Sequence, residues 1–139
     1  VKVPKVGPTA RRRAQKARVV TLAERAVKSL VKDMDGRRCR WPDCEVPPLS
    51  FWGQLQAAHY KAEGMGGDPN LVRCTVDNML AACRWHHRGP RGLHSGLAKM
   101  EPLTELGTRG PVQFSVMERG EGGRWSVIGV TSPPKEWSE

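Results

Sequence analysis

Two pairs of metal-ligand residues limit what this chain can fold into more than any other feature: Cys39-x4-Cys44 and Cys83-x2-His86. Two thiolates a few residues apart on a tight turn present both sulfurs to one ion, and a second pair must arrive from a distant segment to close a tetrahedron. Soft sulfur with one imidazole selects zinc over magnesium or calcium. The competing reading is that these are buried free thiols, which behave as small hydrophobes. Trp41-Pro42-Asp43 inside the first pair and Arg84-Trp85 inside the second make a buried apolar strand a poor description of either place.

The fourth cysteine, Cys74, permits an all-cysteine site without His86. It lies across an apolar segment from Cys83, whereas His86 follows Cys83 by a single turn. A structural zinc site closes at four ligands, so local geometry favours Cys39, Cys44, Cys83 and His86, with Cys74 a packed thiol. The staple has a purpose in a chain of 139 residues and 38% hydrophobic content. That is the size of one domain with extensions and a modest core, to which an ion bound only by the folded state adds stability.

A disulfide framework is the other use of four cysteines, and it requires an oxidising compartment. The basic N-terminal stretch carries no apolar run that reads as a secretory leader, and no apolar segment reaches the ~20 residues of a membrane helix. A soluble chain in a reducing compartment, with no membrane partner, is the expectation.

The formal net charge is +9, and its distribution is uneven. Residues 1–40 hold 13 Lys and Arg against Glu24, Asp33 and Asp35, whereas residues 41–139 hold 10 against 11 acidic side chains. A basic arm on a near-neutral body is the pattern of a protein that sits on a polyanion; a solvated tail that aids solubility has the same composition. Residues 1–20, with Pro4, Gly7, Pro8 and Arg11-Arg12-Arg13, read as a flexible arm. Thr21 and Glu24 form a capping box for a helix over about 22–34, with Ala23, Val27, Leu30 and Met34 on its apolar face and Gly36 at its end. Arg25, Lys28 and Lys32 stripe another face.

Leu55–Tyr60 and Asn78–Ala82 read as strands flanking a glycine-rich loop, and a short helix starts near Arg84. Gly89-Pro90 stops that helix or makes it restart around Gly92-Leu93-His94. Val112–Glu118 and Trp125–Val130 flank Arg119-Gly120-Glu121-Gly122-Gly123-Arg124 and read as a β-hairpin, serving either as core extension or as a partner contact.

Between the two ligand pairs stand Ala57-Ala58-His59-Tyr60, the turn Gly64-Met65-Gly66-Gly67 and Asp77-Asn78-Met79-Leu80, and the second pair continues as Cys83-Arg84-Trp85-His86-His87-Arg88-Gly89-Pro90. In this order, over roughly residues 36 to 96, the chain resembles the HNH endonuclease family, and more narrowly its small, phage-type, zinc-stapled members. The resemblance implies an α+β fold: a ββα-metal (HNH) core stapled by a structural zinc, with an N-terminal helix and a C-terminal β-hairpin. The implied organisation is a basic arm over 1–20, a nuclease domain with its leading helix over 21–100, and a hairpin extension and tail over 101–139.

The activity so implied is metal-dependent hydrolysis of DNA phosphodiester bonds. His59 is the general base that activates water, Asn78 holds the His59 loop through its side-chain amide, and His87 ligates a catalytic divalent cation, Mg2+, Mn2+ or Ni2+. Double-stranded DNA is the implied substrate and phage packaging proteins are candidate partners, in the cytoplasm of an infected host cell. Besides Arg11, Arg12 and Arg13, the basic side chains placed to hold phosphates are Arg84, Arg88 and Arg91, in a segment free of acidic residues from Asn78 to Met100.

One position departs from the family pattern. Many members carry an acidic residue or a histidine just before the first histidine as a second metal ligand, and here it is Ala58, whose methyl cannot ligate. Glu63, Asp68, Asp77 and His94 are the replacements within reach by sequence, and His94 is favoured. The rival reading is a non-catalytic zinc-stapled DNA-binding or phage assembly module, for which His59, Asn78 and His87 have no need.

Overall fold

The computed structural model describes residues 8–61, 73–118 and 123–134, with the side chains of residue 8 and residues 14–20 outside that description. Its elements run α1 (Pro8–Met34), β1 (Leu55–His59), β2 (Met79–Cys83), α2 (Arg84–Arg88), β3 (Ala98–Pro102), β4 (Val112–Met117) and β5 (Trp125–Thr131), with one-turn 3-10 helices at Phe51–Gly53 and Gly107–Arg109. The fold is mixed α/β with two small antiparallel sheets, β1-β2 and β3-β4-β5. Among the described residues no helix is long and apolar enough to cross a membrane.

The first helix begins at Pro8, well before the expected start. Proline suits the first helical position, where its missing N–H is not needed, and the alanines, arginines, lysine and glutamine that follow are strong helix formers. Residues 8–20 are therefore helix rather than flexible arm, and Thr21 sits inside α1 instead of capping it. The helix stops as expected at Gly36, whose φ of 69° is the left-handed conformation glycine adopts without strain. Gly36 N–H donates to the Asp33 carbonyl and Arg37 N–H to that of Lys32, a Schellman closure.

The buried face of α1 differs from the expected one by one residue. Val31 is fully buried while Leu30 stays 44% exposed, and Val27 and Val31 pack with Ala57, Cys74, Val76 and Met79. On the opposite side of β1-β2, Ala58, Leu80 and Ala82 pack with Met100, Val112 and Phe114 of the second sheet. The β1-β2 pair is thus the middle layer, and the strand alternation of side chains divides its apolar residues between two cores. This accounts for the burial of all five residues of β2.

A two-stranded sheet leaves an open edge of unpaired backbone groups. Here Asp35 covers that of β2 by accepting the Ala81 N–H at 2.7 Å, while Arg40 N–H donates to the Ala81 carbonyl at 2.8 Å. Thr108 Oγ1 and Arg109 Nη2 donate to the Met79 carbonyl. The Asp35 carboxylate, wholly buried, bridges Arg40 at 3.2 Å and Arg109 at 3.0 Å, and Arg40 also reaches the carbonyls of Thr108, Gly110 and Thr131. Burial weakens the Arg40 guanidinium's hold on its proton, and the Asp35 charge opposes that effect. This network joins the end of α1, the edge of β2 and the far end of β5.

The C-terminal hairpin forms between β4 and β5, with its turn residues 119–122 outside the described residues. It is joined by β3, which the sequence analysis did not anticipate and which pairs with β4 from Ala98↔Val116 to Pro102↔Val112. Val112 and Phe114 are fully buried against the first sheet. The hairpin extends the core.

Candidate metal centre

The first sheet delivers the second ligand pair. β1 and β2 run antiparallel in a register from Leu55↔Cys83 to His59↔Met79, and α2 begins directly after Cys83. A helix starting there carries His86 back over its own first turn toward Cys83, so Cys83 Sγ and His86 Nδ1 lie 3.2 Å apart. The first pair arrives on the loop after α1, where Asp43 turns the chain with φ 52°. Cys39 Sγ is 3.7 Å from His86 Nδ1 and Cys44 Sγ is 3.9 Å from Cys83 Sγ.

All four ligand atoms lie within 4.8 Å of one another. Bond lengths of ~2.3 Å to sulfur and ~2.0 Å to nitrogen give a tetrahedron with edges of roughly 3.5 to 3.8 Å, close to the separations found. The cluster can hold a metal ion such as zinc. Its electrostatics fit the same conclusion. Without a cation only one thiolate is easily accommodated: Cys83 is held down to about 4 by a hydrogen bond from the Cys39 thiol and by His86, whereas Cys39 is pushed up by that same bond and by burial. Cys44 is pushed up by burial and by the Cys83 charge. A dipositive ion would let all three sulfurs ionise together.

The His86 ring stacks flat on Trp41, with centroids 4.6 Å apart and planes 2° apart, and Trp41 in turn meets Phe114 edge-on. The core therefore orients the His86 imidazole through an indole, a contact with no local sequence signal. Cys74 lies elsewhere, in the core beneath α1, with its thiol 4.0 Å from the Glu24 carbonyl. No cysteine is in a disulfide.

The second group of interest is built on α2. His87, 4% exposed, places Nδ1 2.7 Å from Gln56 Oε1. An amide oxygen only accepts, so Nδ1 carries the proton and Nε2 keeps its lone pair. Burial holds His87 down to about 4, helped by the charges of His94, Arg88, His59 and Lys28; the imidazole is neutral at neutral pH.

Helix α2 ends at Arg88 without restarting, and the chain folds back: Leu93 N–H donates to the His86 carbonyl and His94 N–H to that of His87. A side chain at Gly92 would sit 2.7 Å from the His86 carbonyl oxygen, so the return requires glycine. The result is His94 beside His87, ring centroids 4.9 Å apart and nearly perpendicular.

Asn78 spans the two ends of the loop between the strands. Its Oδ1 accepts the Lys61 N–H, and its Nδ2 donates to the carbonyls of Lys61 and Arg73. His59 is the last residue of β1 and half-buried. Ala58 is 1% exposed in the core facing the second sheet. Of the other acidic candidates, Asp77 accepts a hydrogen bond from Thr75, and Glu63, Asp68 and the Gly64–Gly67 turn lie outside the described residues. Among the described residues, Cys39, Cys44, Cys83 and His86 make the only grouping of three or more His, Cys, Asp or Glu ligand atoms.

The arginines expected to hold phosphates differ in their surroundings. Arg11, Arg12, Arg13 and Arg88 are exposed, Arg84 lies over the Phe51 ring at 4.0 Å, and Arg91 donates to the Met117 carbonyl at 2.6 Å. No protein-family model, curated protein or solved structure matches the chain.

Proposed function

We propose that this protein is a metal-dependent DNA endonuclease of the HNH kind, with zinc in the Cys39, Cys44, Cys83 and His86 cluster and a second, catalytic cation on His87 and His94. The observation that carries the reading is the His87 imidazole. It is buried, neutral and fixed in one tautomer by Gln56, and its ring centroid lies 4.9 Å from that of His94. A histidine fixed in this way through its other nitrogen is the usual state of a metal ligand. Imidazole ligands suit Mn2+ or Ni2+ better than Mg2+, and the remaining positions would be open to water and phosphate.

A bound cation would neutralise charge on the phosphate and the leaving oxygen. The rest falls to the chain. His59 takes a proton from water, the resulting hydroxide attacks phosphorus, and the bond to the 3′ oxygen breaks, leaving a 3′-hydroxyl and a 5′-phosphate once that oxygen is protonated by solvent. Asn78 keeps both ends of the loop next to His59 in place, and α1 and Arg88 offer positive charge to flanking phosphates. The non-catalytic DNA-binding module is the second reading. It is favoured by Ala58, whose methyl is packed in the core, and by the absence of a third ligand beside His87 and His94 among the described residues.

The test is cleavage of supercoiled plasmid with Mg2+, Mn2+ or Ni2+. Wild-type protein should cut and His59→Ala should not, while both keep one zinc per chain. DNA binding without cleavage in any of the three metals would establish the module reading instead.

A further inference from the structure

Just before β1 the chain builds a rigid projection. Ser50 Oγ donates to the Pro47 carbonyl and accepts the Gly53 N–H, and a side chain at Gly53 would sit 1.8 Å from the Pro47 carbonyl oxygen. Arg84 N–H donates to the Gln54 carbonyl at 2.8 Å, fastening this turn to the first residue of α2. Three aromatic rings are held on the surface by it: Phe51, Trp52 and Trp85, exposed by 57%, 40% and 42%. They meet edge-to-face, Phe51 with Trp52 at 5.3 Å and Trp52 with Trp85 at 5.1 Å. An edge-to-face contact covers one face of one ring in each pair, and all three rings still keep 40% or more of their surface exposed. The Arg84 guanidinium lies over Phe51 at 4.0 Å.

Large aromatic side chains kept this exposed and this rigid are costly unless something covers them. The charge around them identifies the occupant. Arg84 is part of the cluster, Arg88 is exposed one turn along α2, and no acidic residue occurs from Asn78 to Met100. Aromatic rings interleaved with arginine form the surface on which unpaired bases stack while their phosphates meet cations. Paired bases expose no faces to such a surface.

We propose that Phe51, Trp52 and Trp85 form a stacking seat for unpaired nucleobases of single-stranded DNA. This inference rests on the nucleic-acid part of the function proposed above and narrows its substrate class. Trp85 and His87 are two residues apart on the same one-turn helix but on different faces of it, Trp85 exposed and His87 buried, so the seat lies beside the proposed catalytic histidines rather than over them. The preferred substrate is then DNA with an unpaired segment, as at a nick, flap or junction, rather than an unbroken duplex.

Binding of the zinc-loaded 139-residue chain to a short oligothymidine strand and to a blunt duplex of two strands, without added divalent cation, tests the seat apart from catalysis. The single strand should quench tryptophan emission. Trp52→Ala and Trp85→Ala should each weaken its binding roughly 5- to 150-fold, the range for losing one stacked base, while Trp85→Phe keeps most of the affinity and duplex binding is unchanged. Zinc content and circular dichroism identify any variant that has not folded, and Trp85→Phe then carries the test, because the single strand should still quench its remaining tryptophans. Equal losses on both DNAs, or absence of quenching with wild-type protein, would overturn the proposal. So would a sedimenting dimer that Trp85→Ala splits, which would make the seat a contact between copies. Single-strand binding by a protein that cuts nothing would remove the endonuclease reading and leave the seat; cleavage without single-strand preference would do the reverse.

Discussion

Gln56 and His87 share a hydrogen bond of 2.7 Å that fixes which nitrogen of a buried imidazole is protonated. The two residues belong to different elements, β1 and α2, and the register that pairs Gln56 with Ala82 places the amide close to the helix that starts after Cys83. If His87 is a cation ligand, Gln56 sets its orientation and basicity. Gln56→Leu should therefore lower Mn2+ or Ni2+ affinity by about 10- to 100-fold, whereas Gln56→Glu, which keeps an acceptor, should retain most of it. Calorimetric titration of the cation into zinc-loaded protein reads this directly, and equal affinity in the leucine variant would sink the assignment.

The choice between Cys74 and His86 is equally open to measurement. His86→Ala removes one corner of the cluster and should lower both zinc affinity and the unfolding temperature. Cys74→Ser changes only the core beneath α1, where it should cost at most about 1.5 kcal/mol and leave one zinc per chain by metal analysis. Zinc lost from the serine variant but kept by the alanine variant would reverse the assignment.

Asp35 and Asp33 are near neighbours with different consequences. Asp33 pairs with Arg37 in solvent, and exposed pairs of this kind contribute within about 1 kcal/mol, so Asp33→Ala should be nearly silent. Asp35→Ala would leave two buried guanidiniums without their shared counter-charge and the Ala81 N–H without its acceptor. Breaking a buried pair from one side costs about 3–5 kcal/mol, enough to unfold a marginal domain. Urea denaturation of the two variants, which should differ by several kcal/mol, compares them in one scaffold.

Arg11, Arg12 and Arg13 stand exposed on the helical start of the chain. If they contact phosphates, replacing all three with glutamine should weaken DNA binding and flatten its salt dependence. The slope of log K against log salt should fall by up to about 0.9 for each lost contact. An unchanged slope would reduce this segment to a solubility element.

Features set by residues close together in the chain were legible before folding was considered. The Cys39/Cys44 and Cys83/His86 pairs were, because each spans a single turn whose geometry is local. So was the stop of α1 at Gly36, because a left-handed residue at a helix end favours glycine, and so was the end of α2 at Gly89-Pro90. The spacing also set Cys74 apart from Cys83 and His86, and the structure puts its thiol in a different core.

Other features depend on segments that meet only in the folded chain. Val31 rather than Leu30 faces the core because Met79 and Ala57 decide where α1 rests on β1-β2. Strand β3 exists because β4 offers an edge to pair with. Asp35, Arg40 and Arg109, far apart in sequence, become one buried network because the unpaired edge of β2 requires hydrogen-bond partners that no local residue supplies. Trp41 on His86 and Gln56 on His87 have the same origin: the sequence by itself determined which residues could bind an ion, but the nitrogen each imidazole presents was decided by tertiary packing, since a ring's orientation is set by whatever lies against its other side.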